Sequence, residues 1–180
     1  MKLRRFLLVG LASLLSSGAV AQTEWETYLE SPTPDNAKRV QEATYSEPNS
    51  RANRLFEDLW LLEIQVTSGD REAVRLAFRL FSSADGHFAE TLDIMLGRLI
   101  RIDPTLFLRE LEIRRKQVAR LDSLLGNFGE AYVDRFPAQE YETEKRIAAL
   151  MTVNDPALTA VRDECVAELR KQLGLLKQVD

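Results

Sequence analysis

The sequence predicts an all-α fold, either an irregular helical bundle or a short HEAT-like helical-hairpin stack, of about six to seven helices. Three observations predict it. Apolar residues recur at spacings of three and four through most of the chain beyond residue 50. The dipeptides Asp103-Pro104 and Asp155-Pro156 are helix starts: Asp caps, and Pro fits a first turn where its missing N–H would have had no partner. No β-branched run with period two supports a strand. A composition rich in Leu, Ala, Arg and Glu, with 8 Gly in 180 residues, suits helices.

The chain divides into a signal segment over 1–21, a polar lead-in over 22–34 that is partly disordered, and a single helical domain over 35–180. In the lead-in, Pro32 and Pro34 bracket Thr33 and oppose regular structure. Trp25 and Tyr28 either dock on the body or belong to a loose tail. Asp35 caps a short helix through Tyr45, and Pro48, Asn49 and Ser50 break the chain. From Arg51 to Thr67, Leu55, Leu59, Leu62 and Val66 form one row. Phe56, Trp60 and Ile64 form another beside it, and the two together make one broad apolar face.

The helix from Asp70 to Phe81 carries Ala73, Val74, Leu76, Ala77, Phe78, Leu80 and Phe81 around most of its circumference, which places it at the centre. Arg71, Arg75 and Arg79 leave it a narrow basic edge, suited to pairing with acidic neighbours. Ser82 and Asp85 have capping-box spacing ahead of a helix ending at Ile102, with Phe88, Leu92, Met95, Leu96, Leu99 and Ile100 on one side. The stretch 70–102 resembles one hairpin of a HEAT-type stack. A helix from Asp103 runs through Leu111 and Val118 toward Leu125, bending near Arg114 to Lys116. Gly126 and Gly129 mark a loop from which Phe128, Tyr132 and Phe136 plug the core. Pro137 begins a helix to Met151. The last helix aligns Leu158, Val161, Cys165, Leu169, Leu173 and Leu176.

The first residues read as a secretory signal. Lys2, Arg4 and Arg5 precede the uncharged apolar stretch Phe6 to Leu15, and Ala19-Val20-Ala21 offers a cleavage site. That stretch is shorter than the roughly 20 residues of a membrane span. Export to a periplasm, or secretion, is therefore expected, with no membrane span after the signal is removed. Cleavage leaves 159 residues with 21 basic and 28 acidic side chains, a net charge of −7. Such a balance argues against nucleic acid and against an anionic membrane surface as partners. Cys165 is the only cysteine, so no intramolecular disulfide forms and stability rests on packing.

Candidate sites are few. His87, the only histidine, lies near Asp85, Glu90 and Asp93, with His87, Glu90 and Asp93 spaced by three. An imidazole with carboxylates on one helix face is a candidate metal or proton-transfer site; the plainer reading is a solvated face. Arg109, Arg114, Arg115, Lys116 and Arg120 form the most basic surface, a candidate interaction site for an acidic partner or a polyanion, or else a solvated face with its own ion pairs. Glu140, Glu142 and Glu144 beside Lys145 and Arg146 read as the same kind of face. Cys165 falls in an apolar row and behaves as a small hydrophobe. Phe78, Phe81, Phe88 and Met95 could line a cavity for an apolar ligand, or form plain core.

No nucleophile elbow, phosphate loop, metalloprotease helix or paired-cysteine motif is present. No cofactor is implied and no catalytic residue is assigned. The leading functional expectation is a non-enzymatic protein-binding or scaffolding module of the cell envelope. The alternatives are an enzyme or metal-binding protein using Asp85, His87, Glu90 and Asp93, and a carrier of an apolar ligand. If the signal is cleaved after Ala21, N-terminal sequencing of exported protein will read Gln22 first; a mature form that keeps Phe6 to Leu15 would refute the cleavage.

Overall fold

The computed structural model describes residues 22–46 and 54–178. The expected signal, the break at Pro48, Asn49 and Ser50, and the expected start of a helix at Arg51 lie outside the described residues. Among those described, ten α-helices occur and no strand. The excess over the expected six to seven arises where apolar periodicity bridges a chain break or a short helix hides in a polar stretch.

The first such helix, α1 (Glu24–Glu30), lies within the stretch expected to be a lead-in. Thr23 caps it, and its hydroxyl accepts from the Glu26 amide at 3.1 Å while the Glu26 carboxylate accepts from the Thr23 amide at 2.9 Å. That reciprocal pair satisfies two donors of the first turn. Trp25 and Tyr28 stack with ring centroids 5.7 Å apart, and both are fully buried. They bring α1 onto α2 (Pro34–Ser46).

The expected helix over 51–67 is two pieces, α3 (Arg54–Glu57) and α4 (Leu59–Thr67), separated at Asp58. Leu55, Leu62 and Val66 are fully buried, and Leu59 of the same row is partly buried. The second row is a correction. Phe56 is 41% exposed, Trp60 57% and Ile64 55%. The reason is coverage: α4 packs mainly on the two helices that follow it, and these cover one of its rows but not both.

Those two helices are α5 (Arg71–Phe81) and α6 (Gly86–Ile102), and they form the centre. Asp70 caps α5, accepting from the Ala73 amide at 2.8 Å. All seven apolar side chains expected to surround α5 are buried. It touches α2, α4, α6 and α7 (Pro104–Arg114). The proposed capping box from Ser82 to Asp85 does not form. Ser82 ends α5, its hydroxyl donating to the Arg79 carbonyl at 2.7 Å, and Asp85 itself is the residue that precedes α6. Asp103 caps α7 as expected, accepting from the Leu106 amide at 2.8 Å.

The expected long helix toward Leu125 stops at Arg114. A tight 3₁₀ turn over Arg115–Gln117 redirects the chain into α8 (Leu121–Gly126). Gly126 is thus helical. A 3₁₀ turn over Glu130–Tyr132 precedes α9 (Phe136–Met151), and another over Pro156–Leu158 leads into α10 (Thr159–Leu176). Of the loop aromatics only Phe128 is buried; Tyr132 and Phe136 are half-buried. Along α10 the row Val161, Cys165 and Leu169 is buried, and Leu173 and Leu176 are half-buried.

The helices form an irregular bundle. In a hairpin stack each repeat touches only its neighbours, whereas α6 packs against α4, α5, α7, α8 and α9. Replacing Phe78, fully buried against Phe107 at a centroid distance of 5.7 Å, with Ala should cost about 3–5 kcal/mol. A urea melt measures this, and a loss below about 1 kcal/mol would contradict the central place of α5.

Candidate functional site

The carboxylates expected around His87 are split between two sides of α6. The imidazole is 90% exposed, with Nδ1 3.8 Å from the Glu90 carboxylate. Asp93 is fully buried on a different side. Helical geometry explains this: each step of three residues falls about 60° short of a full turn, so two steps leave Asp93 about 120° from His87. Asp85 stands at the entrance of α6. Among the described residues, no group of three or more His, Cys, Asp or Glu side chains is placed to hold a metal ion.

The basic segment is largely neutralised by its own fold. Arg115 grips Glu164 through two nitrogens, Nε at 2.8 Å and Nη2 at 2.5 Å. Arg109 lies 3.5 Å from Asp155, and Arg120 3.5 Å from Asp93. Arg114 pairs with Glu110 at 2.5 Å, and Arg75 of α5 approaches the same carboxylate at 3.2 Å. Glu110 is therefore a buried acid between two arginines, tying α7 to α5. Lys116 is exposed.

Cys165 is fully buried, and desolvation pushes its thiol up to about 12. At neutral pH it holds no thiolate to attack with. The aromatics proposed for an apolar cavity fill the core instead: Phe78 lies on Phe107, Phe88 meets Phe56 edge to face, and Met95 is buried. A cleft of about 460 Å³ opens elsewhere, where Ser123, Phe128, Gln139, Thr143, Gln172 and Leu176 line the junction of α8, α9 and α10.

Two ionisable groups inside the bundle are the unusual ones. Asp93 accepts from the Ser123 hydroxyl at 2.5 Å through Oδ2, and its Oδ1 has no partner. Burial raises its pKa to about 6, against the lowering effects of the Ser123 hydrogen bond and Arg120. Arg146, read from sequence as part of a solvated charged face, is 3% exposed. Its guanidinium lies 4.3 Å from the centre of the Phe128 ring on one side. On the other it rests against Gly97 of α6, where an added Cβ would come within 2.8 Å of Nη1. Nη1 donates to the Leu125 carbonyl at 2.5 Å and Nη2 to that of Asn127 at 3.4 Å, while Nε has no partner.

Arg146 also lines a pocket of about 380 Å³ with Arg98, Arg101, Ile102, Tyr132 and Glu142. A sequence signal for it exists. Arg146 stands in phase with Thr143 and Leu150, both fully buried, and Gly97 interrupts the apolar row of α6.

No family model, no curated protein and no solved structure matches the chain.

Asp93 generates a pH prediction. Its folded pKa near 6 lies above its ordinary value of 3.8, so the folded state binds this proton more tightly. The stability it contributes is complete below about pH 4 and is lost as pH rises through about 6, by up to about 1.4 kcal/mol per pH unit. Urea melts of wild type and Asp93→Asn across pH 4–7 should show the variant gaining relative to wild type as pH rises. A constant difference would mean that Asp93 is not held this way.

Proposed function

We propose that this chain is an exported helical protein of the cell envelope that binds another protein through the uncovered row of α3 and α4. The observation that carries the proposal is the exposure of Trp60 and Ile64, one turn apart on α4, with Phe56 a further turn back and half-exposed. Large apolar side chains in a row leave water-facing area that a partner's apolar surface would cover, and tryptophan is enriched among residues that dominate binding energy. Export is supported by Lys2, Arg4 and Arg5, the apolar stretch that follows and the small residues before Gln22. Among the described residues no helix is long and apolar enough to cross a membrane. The net acidic charge favours a protein partner over a polyanion.

The test compares wild type with a surface variant of similar stability. Trp60→Lys with Ile64→Lys changes exposed positions and should shift stability by about 0.5 kcal/mol or less per site. Immobilised wild type, starting at Gln22, should retain an envelope protein that the double variant releases. Equal retention by both would remove α4 from the interface.

A further inference from the structure

The guanidinium of Arg146 is deeply buried, and no carboxylate lies within 4 Å of it among the described residues. An unpaired buried charge is costly, and fold stability alone rarely accounts for one. Its two backbone contacts give it hydrogen bonds but no counter-charge. The same pocket is lined by Arg98 and Arg101 from successive turns of α6, so three arginines border it where α6 meets α9.

The acidic groups present do not balance them. Arg101 Nη1 holds both oxygens of Glu142 at 2.8 Å, and Arg98 is bonded to Glu63 of α4. Three guanidiniums against two carboxylates leave one positive charge in the cluster, and Arg146 is the member without an acid. Burial lowers the pKa of Arg146 to about 10; attraction to Glu142 and Tyr132 opposes this, and the smaller repulsion from Arg101 and Arg98 adds to it. Like charges brought together against solvent are stabilised by an anion between them, and the planar donor fork of arginine matches oxyanions.

We propose that the pocket formed by Arg98, Arg101, Tyr132 and Arg146 is a binding site for a small oxyanion, a carboxylate or a phosphate. The volume of about 380 Å³ admits a ligand of metabolite size. Arg101 and Arg98 are half-exposed and stand at its solvent side, and Arg146 forms its buried wall. Glu142 is the competitor: held by Arg101, it occupies donor capacity that an incoming anion would use. This site is separate from the apolar row of α4 and does not depend on a protein partner.

Isothermal titration of the protein starting at Gln22, with inorganic phosphate and with succinate at ionic strength matched by sodium chloride, tests the site. One of the two anions should bind at one per chain with a Kd of about 1 mM or tighter, and which of them binds assigns the ligand to the phosphate or the carboxylate class. Arg101→Gln should weaken binding about tenfold, as expected for loss of a charge-assisted contact. Glu142→Gln should tighten it. Lys116→Gln removes the same charge elsewhere and should leave it unchanged. Arg146 is not replaced, because its removal would disturb the core. Absence of one-to-one binding of either anion up to about 10 mM would overturn the proposal. So would a loss in Lys116→Gln equal to that in Arg101→Gln, which would mark the effect as general attraction to positive charge.

Discussion

An eleven-residue helix with seven apolar side chains around its axis is unstable with any side left in water, and that constraint organises this molecule. At about 1.5–3 kcal/mol for each large side chain removed from water, no single partner helix could satisfy α5. Four do: α2, α4, α6 and α7 close around it. On the polar edge left to α5, Arg75 lies between Glu72 and the buried Glu110. That ion pair is more directional than the apolar contacts beside it and fixes how α7 lies on α5.

Beyond α6 the construction changes. The junction with α8 and α9 is held by polar groups taken out of water as well as by leucines: Asp93 reaches Ser123, and Arg146 reaches the carbonyls of Leu125 and Asn127. Apolar side chains of similar volume would be expected to give comparable or greater stability. The half of the bundle built this way is also the half that contains the cleft and the arginine pocket. The α2–α5 half instead places its excess apolar area outside, on α4.

What could be read from sequence followed from how local each feature is. The circumference of α5 and the starts at Asp70 and Asp103 need only a few neighbouring residues, and they were legible. The split at Asp58 was not, because Leu55 and Leu62 keep their phase across it. Burial of one row of α4 and exposure of Phe56, Trp60 and Ile64 was equally hidden: periodicity says which residues share a face, but coverage depends on where other helices lie. The helix α1 was hidden by Pro32 and Pro34, although Thr23 and Glu26 stood at capping-box spacing. Spacing by three puts His87 and Asp93 in series, but the drift of a 3.6-residue helix turns them to different sides. The acidic neighbours of Arg146 in sequence point to a wet face, while its phase with Thr143 and Leu150 points inward.

The six residues of α8 are far too few to hold a helix on their own. This segment is attached to α6 through Ser123, and the Leu125 carbonyl near its end waits for the side chain of Arg146, 21 residues further along the chain. A polypeptide growing from its N-terminus can assemble α5 against α6 and α7 early, yet it cannot close this corner until α9 has emerged. Chain order thus sets a constraint on assembly: α5 can meet α6 and α7 before α9 exists, and the corner that holds the buried arginine can close only after α9 has been made.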